Sequence, residues 1–254
     1  MKVVACYKCV PNAESVRINA DRSIDLSAAE WEIGQYDLCA VEEASHIAAG
    51  SGGKAIAMTA GGEIASGSKM KKSVLSRGMD EAVVVQNAAL ESADCFTTAK
   101  VLSAAIKKLG DVDLVLCGEG SGDSYSQQTG NMLGAVLGWS TVNAVSKLEL
   151  LSNTVRAERS LEDRTEVLEI ALPAVISVSS NINSPRIPSM RDILGAGKKP
   201  SAVWSLDDIC ADAEASSEIV SIVAPVRTER MRNIYDGSSE DGIDEFVGQL
   251  RKAL

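Results

Sequence analysis

Nowhere does an apolar run approach the roughly 18 residues that a membrane-spanning helix needs, so no bilayer segment is expected. An export signal is also missing. The start, Met1-Lys2-Val3-Val4-Ala5-Cys6-Tyr7-Lys8, is β-branched and soon interrupted by charge, so it reads as a first strand, and cytoplasmic residence is the default expectation. Clustered positive charge is scarce as well. The formal net charge is −10, whereas neutralising phosphates needs Lys and Arg gathered in one patch, which argues against nucleic acid as a partner. Lys69, Lys71, Lys72 and Arg77 come closest, but they share helical spacing with Met70, Val74 and Leu75 and read as a solvated helix face. Histidine occurs once, and His46 falls off the helical stripe made by Val41, Ala44 and Ala48, which leaves Ser-His or metal-His chemistry without a base. Paired carboxylates on one helix face, a nucleophile elbow and a metal-ligand cluster are all lacking. That poverty suits a binding subunit or carrier better than a self-sufficient enzyme.

What is present marks a globular chain. Hydrophobic residues make up 45% and charged residues 24% of 254, enough to bury a sizeable core. The six cysteines, Cys6, Cys9, Cys39, Cys95, Cys117 and Cys210, are expected as reduced thiols. Cys6 and Cys9 form a C-x-x-C, but it straddles a strand end and is followed by Pro11, where a redox pair belongs at a helix N-terminus.

Strand and helix patterns alternate through the first half and predict a Rossmann-like, doubly wound parallel sheet of the α/β class. Continuous apolar runs at residues 3–7, 55–59, 82–85 and 114–117 suit strands covered on both faces. Leu38, Val41, Ala44 and Ala48 mark one helix, and Val101, Ala105 and Leu109 before Gly110 mark another, while a third ends at Gly78. From Val145 the pattern becomes the alternation of an antiparallel addition, at 147–151, 155–159 and 167–171, followed by a buried run at 174–178. A Pro- and basic-rich loop spans 183–200, then come a polar connection, a strand at 219–223 and a last helix with the stripe Ile243, Phe246, Val247 and Leu250. We divide the chain into a nucleotide-binding α/β domain, 1–200, and an extended C-terminal arm with its helix, 201–254.

In open α/β sheets ligands bind beyond the carboxyl ends of the parallel strands, so the loops after Tyr7, Thr59 and Cys117 should converge. The strongest candidate is Gly118-Glu119-Gly120-Ser121-Gly122-Asp123-Ser124, a glycine-rich turn leading into a helix expected over 125–137. Its glycines permit close backbone approach, and free N–H groups opening the helix attract phosphate. It is neither a Walker A loop nor G-x-G-x-x-G, since Asp123 replaces the third glycine. Glu119 and Asp123 could accept hydrogen bonds from ribose hydroxyls.

At this point the residues resemble a family, the beta subunits of electron-transfer flavoproteins, in the branch that includes the FixA-type proteins. The most specific stretch is Val155-Arg156-Ala157-Glu158-Arg159-Ser160-Leu161-Glu162-Asp163, continuing through Glu166 and Leu168 to Leu172-Pro173-Ala174-Val175-Ile176. The opening Cys6-Tyr7-Lys8-Cys9-Val10-Pro11, the helix start Tyr36-Asp37 running into Ala40-Val41-Glu42-Glu43-Ala44, and the loop ending Gln128-Thr129-Gly130 agree with it. So does Asn183-Ser184-Pro185-Arg186-Ile187-Pro188-Ser189-Met190, followed by Lys198-Lys199.

The resemblance implies a heterodimer in which FAD is held mainly by the alpha subunit and shared with this chain, which holds an adenine nucleotide of its own. Electrons would pass between flavin-dependent acyl-CoA dehydrogenases, in fatty acid beta-oxidation, and other partners such as a membrane quinone oxidoreductase; the chain would be a carrier and not an enzyme. By the same resemblance the nucleotide contacts are Cys6, Gly34, Gln35, Tyr36, Asp37, Ala60, and Gly118, Glu119, Gly120, Ser121, Gly122, Asp123, Ser124, Tyr125, Ser126, Gln127, Gln128 and Thr129. Tyr36 and Arg159 would lie toward the flavin. Met190 would sit in the loop that recognises dehydrogenases, and its neighbours Arg186, Pro188 and Arg191 suggest an exposed apolar anchor with a basic rim. Two departures stand out: Gly34-Gln35 replaces the usual Asn-Pro, and Ala13 stands where some relatives place a tyrosine. Relatives with a second FAD carry a loop resembling Asp-Gly-Asp-Thr-Ala-Gln, whereas this chain has Asp123-Ser124-Tyr125-Ser126-Gln127-Gln128, whose tyrosine should crowd a pyrophosphate and favour AMP. The alternatives are an adenine-nucleotide module of the universal-stress or nucleotide-hydrolase type with no redox role, and a thiol oxidoreductase using Cys6 and Cys9.

Overall fold

The computed structural model describes residues 1–253. In chain order its strands are β1 (Lys2–Cys6), β2 (Cys9–Pro11), β3 (Arg17–Ile18), β4 (Ile24–Asp25), β5 (Trp31–Ile33), β6 (Lys54–Gly61), β7 (Glu81–Gln86), β8 (Leu114–Gly118), β9 (Ser140–Leu150), β10 (Thr154–Ser160), β11 (Thr165–Ala171), β12 (Ala174–Val178) and β13 (Ser201–Trp204). The helices are α1 (Gln35–Gly50), α2 (Glu63–Ser66), α3 (Ser68–Leu75), α4 (Cys95–Leu109), α5 (Thr129–Leu137), α6 (Met190–Ala196) and α7 (Glu240–Ala253).

Nine of the strands form one sheet in the order β11-β10-β9-β12-β8-β1-β6-β7-β13. From β9 to β13 every pairing is parallel, and β9–β10 and β10–β11 are antiparallel. The parallel strands carry apolar residues at successive positions because both faces are covered. Val3, Ala5, Ala57, Leu114, Leu116 and Ile176 face α1 and α3, and Val4, Ile56, Met58, Val83, Val115 and Val175 face α4 and α5. The fold is therefore the expected Rossmann-like α/β sandwich with an antiparallel addition.

Several elements differ from the sequence expectation. β9 is a single strand of 11 residues, parallel to β12 in its first half and antiparallel to β10 in its second, where alternation alone marks only the second half. The helix expected from Tyr125 starts at Thr129, because Tyr125 (φ 43°) and Gln127 (φ 56°) take left-handed backbone that a helix cannot contain. The strand expected at 219–223 reduces to one bridge between Ser23 and Val223. Conversely β13 extends the sheet at its β7 edge, and α6 stands inside the segment read as a loop, closed at its start by a Ser189–Asp192 capping box.

Beyond a 3₁₀ turn at Asp207–Ile209 the chain becomes the arm. Its root is tied to α4, where Thr97 Oγ1 donates to the Glu214 carbonyl and Asp94 Oδ2 accepts from Ser216 and Ser217 N–H at 2.7 and 2.8 Å. Ala224 N–H then donates to Arg22 O. The terminal α7 has no buried residue, and Ile243, Phe246 and Leu250 remain 45–48% exposed. Among the described residues no helix is long and apolar enough to cross a membrane.

Candidate functional site

β1 lies mid-sheet between β6 and β8. The chain moves outward from β1 to β6 and β7, then returns through α4 to β8 on the other side, so the strand order reverses between β1 and β8. A crevice opens at such a reversal, beyond the carboxyl ends of the strands.

One carboxylate closes the floor of that crevice. α1 begins after Gly34 without a side-chain cap, and in its first turn the buried Asp37 reaches back to the connection after β1 and to the end of β8. Its Oδ2 accepts from Lys8 N–H at 2.8 Å and its Oδ1 from Gly118 N–H at 3.2 Å. Burial raises the Asp37 carboxyl to about 7, with the two N–H bonds and the Lys8 charge opposing and the Asp123 charge adding to the rise. Gly118 is required by the same packing, since a Cβ would stand 2.6 Å from Asp37 Oδ1 and 2.7 Å from the Tyr36 carbonyl carbon.

The glycine loop folds over this floor. Lys8 Nζ meets Asp123 Oδ2 at 2.6 Å, and Tyr125 OH donates to Glu119 Oε1 at 2.9 Å. The Tyr125 ring lies 5.4 Å from that of Tyr36, and a Cβ on Gly120 would meet it at 2.4 Å, so the ring is folded into the loop. The neighbouring Tyr36 hydroxyl, then the hydrogen bond to Glu119, pushes the Tyr125 phenol above its ordinary value. Ser126 Oγ sits 3.0 Å from Cys95 Sγ, while Ser121 is half-buried and residues 122–128 are exposed. Gln128 then precedes an α5 start that no side chain caps, so the N–H groups of Thr129, Gly130 and Asn131 keep free donor capacity. Gly130 lets that helix end approach β12, because a Cβ there would overlap Ser177 Oγ at 2.1 Å.

The structure thus gathers Gly34, Gln35, Tyr36, Asp37 and residues 118–129 around one crevice, with Cys6 at the end of β1 and Ala60 near the end of β6. Cys6 and Cys117 are neighbours on β1 and β8, and the Cys6 thiol beside it, with burial, holds the Cys117 thiol well above its ordinary value. Burial, with Asp37 nearby, pushes Cys9 up to about 12. All six cysteines are free, Cys6 and Cys9 lie on different strands, and Cys9, held up by burial, lacks the thiolate character that redox exchange needs.

Arg159 is brought to the same end of the sheet by register, Gly118 lying opposite Val178, Val178 opposite Val145 and Val145 opposite Arg159. Three strand spacings separate it from Gly118, roughly 14 Å. Its Nη1 is 3.7 Å from Glu166 Oε2, and its Nε is buried with no partner. Arg186, Pro188 and Met190 stand apart from the crevice: Met190 opens α6 and is 71% exposed, and Pro188 is half-buried. Arg186 is not a free rim charge, since its guanidinium is bound to buried Glu42 at 2.7 and 2.8 Å. Sequence reasoning assigned no role to Lys8 or Glu42. A lysine directly after a strand's carboxyl end was the available signal for the first. An acid inside an otherwise apolar helix stripe was the signal for the second.

The family model described as electron transfer flavoprotein domain matches residues 23–209.

Proposed function

The chain belongs to the electron transfer flavoprotein family, and from that premise we propose that it is the beta subunit of a heterodimeric carrier, of the FixA-type branch. It passes electrons between flavin-dependent acyl-CoA-type dehydrogenases and other redox partners, a membrane quinone oxidoreductase among them, and has no turnover of its own. The observation that carries this reading is the C-terminal arm. It leaves the sheet and ends in a helix with no buried residue, whose Ile243, Phe246 and Leu250 stay 45–48% exposed although Phe246 packs on Tyr235 of the same arm, which is the form of a segment that lies on another subunit.

In this reading FAD is held mainly by the alpha subunit and supplies the redox chemistry when bound. This chain contributes Tyr36 and Arg159 toward it, and the unpartnered Arg159 Nε supports an anionic or carbonyl acceptor arriving from outside the chain. AMP occupies the crevice. Its phosphate suits the uncapped N-terminus of α5, its ribose hydroxyls suit Glu119 and Asp123, and the Tyr125 ring, lying over Gly120 though 44% exposed, favours one phosphate over a pyrophosphate.

The test is co-expression with the alpha subunit followed by mass measurement of the released nucleotides. One FAD and one AMP per heterodimer are expected, with the isolated chain colourless. Tight redox-active flavin on the isolated chain would overturn the division of roles. Two FAD per heterodimer would overturn the AMP assignment alone, and an adenine nucleotide without any flavoprotein partner would favour a module with no redox role.

A further inference from the structure

Two constellations of charge lie on α1. Near its start Asp37 ties it to the crevice, and five residues on, about 7.5 Å along the axis, the buried Glu42 faces a different segment. Glu42 Oε2 accepts from Arg186 Nε at 2.7 Å and from Arg186 backbone N–H at 3.1 Å, while Oε1 accepts from Arg186 Nη2 at 2.8 Å. His46 Nε2 approaches the same Oε1 at 2.8 Å. Burial opposes the Glu42 charge, but the Arg186 hydrogen bonds and charge, with His46, hold its carboxyl below the usual range. Gly78 makes room for the guanidinium: its φ is +89°, and a Cβ would stand 2.7 Å from Arg186 Nη1 and 2.3 Å from Ser45 Oγ. Alongside, Asn183 Nδ2 donates to Cys39 O at 3.1 Å and to Glu43 Oε2 at 3.0 Å.

Immediately past this tie the chain presents apolar surface to solvent. Ile187 is 94%, Met190 71% and Leu194 72% exposed, whereas α6 itself buries only Ala196. A helix so weakly embedded takes its position from its flanks. On one side Lys199 donates to the Leu75 and Met79 carbonyls, and on the other stands the Arg186 fork. A bidentate, charge-assisted pair fixes direction as well as distance.

We propose that Glu42 and Arg186 form a positioning clamp that holds the apolar knob of Ile187, Met190 and Leu194 at a fixed place relative to the crevice, and so sets the encounter geometry with a flavin-dependent dehydrogenase. The proposal rests on the reading of this surface as the dehydrogenase dock. It makes Arg186 a positioning residue, where the sequence suggested a basic rim. Small displacements of a docked redox partner are costly because only a narrow set of poses is productive.

The experiment uses the intact heterodimer and the acyl-CoA dehydrogenase that best reduces it. Glu42→Ala and Arg186→Gln should each raise KM for the dehydrogenase about tenfold with kcat and the flavin spectrum held, and Arg186→Lys should recover part of the loss. Hydrogen exchange of residues 187–196 should quicken about tenfold in both variants while residues 39–48 stay protected. Arg186→Gln alters a half-exposed side chain and guards against simple unfolding of the Glu42 variant. Unchanged KM and unchanged exchange in both variants would sink the clamp. Met190→Ala separates the two claims: a raised KM there beside a normal KM in Glu42→Ala removes the clamp alone, and normal electron exchange in Met190→Ala removes the docking reading.

Discussion

Asp37 is the residue on which most of the crevice depends. Its folded pKa of about 7 lies above the ordinary 3.8, so the folded chain holds this proton more tightly than the unfolded chain does. The stability so contributed is fully present below the ordinary value and is lost as pH rises through about 7. Asp37→Asn keeps one acceptor oxygen for two N–H donors and should cost about 1–3 kcal/mol. It should also remove the fall in thermal midpoint expected of the native chain as pH rises from 3.8 to about 7. A midpoint whose pH slope survives the substitution would remove Asp37 as its source. Two glycines separate fold from ligand in the same place. Gly118→Ala drives a methyl into Asp37 and Tyr36 and should destabilise the chain by about 1–3 kcal/mol. Gly122 has no atom within 4 Å of a built Cβ, so Gly122→Val should leave the thermal midpoint alone and act only on nucleotide retention, measured by mass after isolation.

Among the elements, α4 has a second task at its N-terminus. Asp94 caps it through Thr97 N–H and also receives Ser216 and Ser217 N–H, and these hydrogen bonds, led by that from Thr97, hold the carboxyl down at about 2. That contribution is present above the ordinary carboxylate range and is lost only as pH falls through about 2. Asp94→Ala should therefore cost about 1 kcal/mol of helix capping and release the arm root. The release is read as faster proteolysis within 212–225, with the sheet still protected. Elements of this kind were unequally legible from sequence. β1, β6, β7 and β8 announce themselves because strands covered on both faces have no polar position to interrupt the run. β13 does not, since Ser201, Ala202, Val203 and Trp204 alternate in exposure at a sheet edge and look like connection. The Ser189-x-x-Asp192 spacing could have revealed α6, but Pro185 and Pro188 argue for a loop. The crevice segments were legible as a glycine turn between strand and helix. The left-handed backbone at Tyr125 and Gln127, which delays α5 by four residues relative to the expected start, leaves no mark in residue type. The Glu42–Arg186 tie was hidden for another reason, its partners standing 144 positions apart.

At the scale of the whole molecule, the sheet and its helices form a body to which the arm adds little. Truncation after Ala224 should leave the thermal midpoint of the body unchanged and abolish association with the alpha subunit in size-exclusion chromatography; a truncated chain that still forms heterodimer would refute the arm's role. Covering the exposed parts of Ile243, Phe246 and Leu250 contributes about 1 kcal/mol each, so replacing all three with serine should weaken association roughly 100-fold. The nakedness of α7 has a thermal consequence too. A helix of 14 residues with no buried side chain is near the length at which isolated helices melt in water. In the proposed heterodimer its winding is then coupled to the joining of the subunits. Association should accordingly show a large negative heat-capacity change and a favourable enthalpy offset by ordering entropy, so that warming alone loosens the pair while each sheet remains intact.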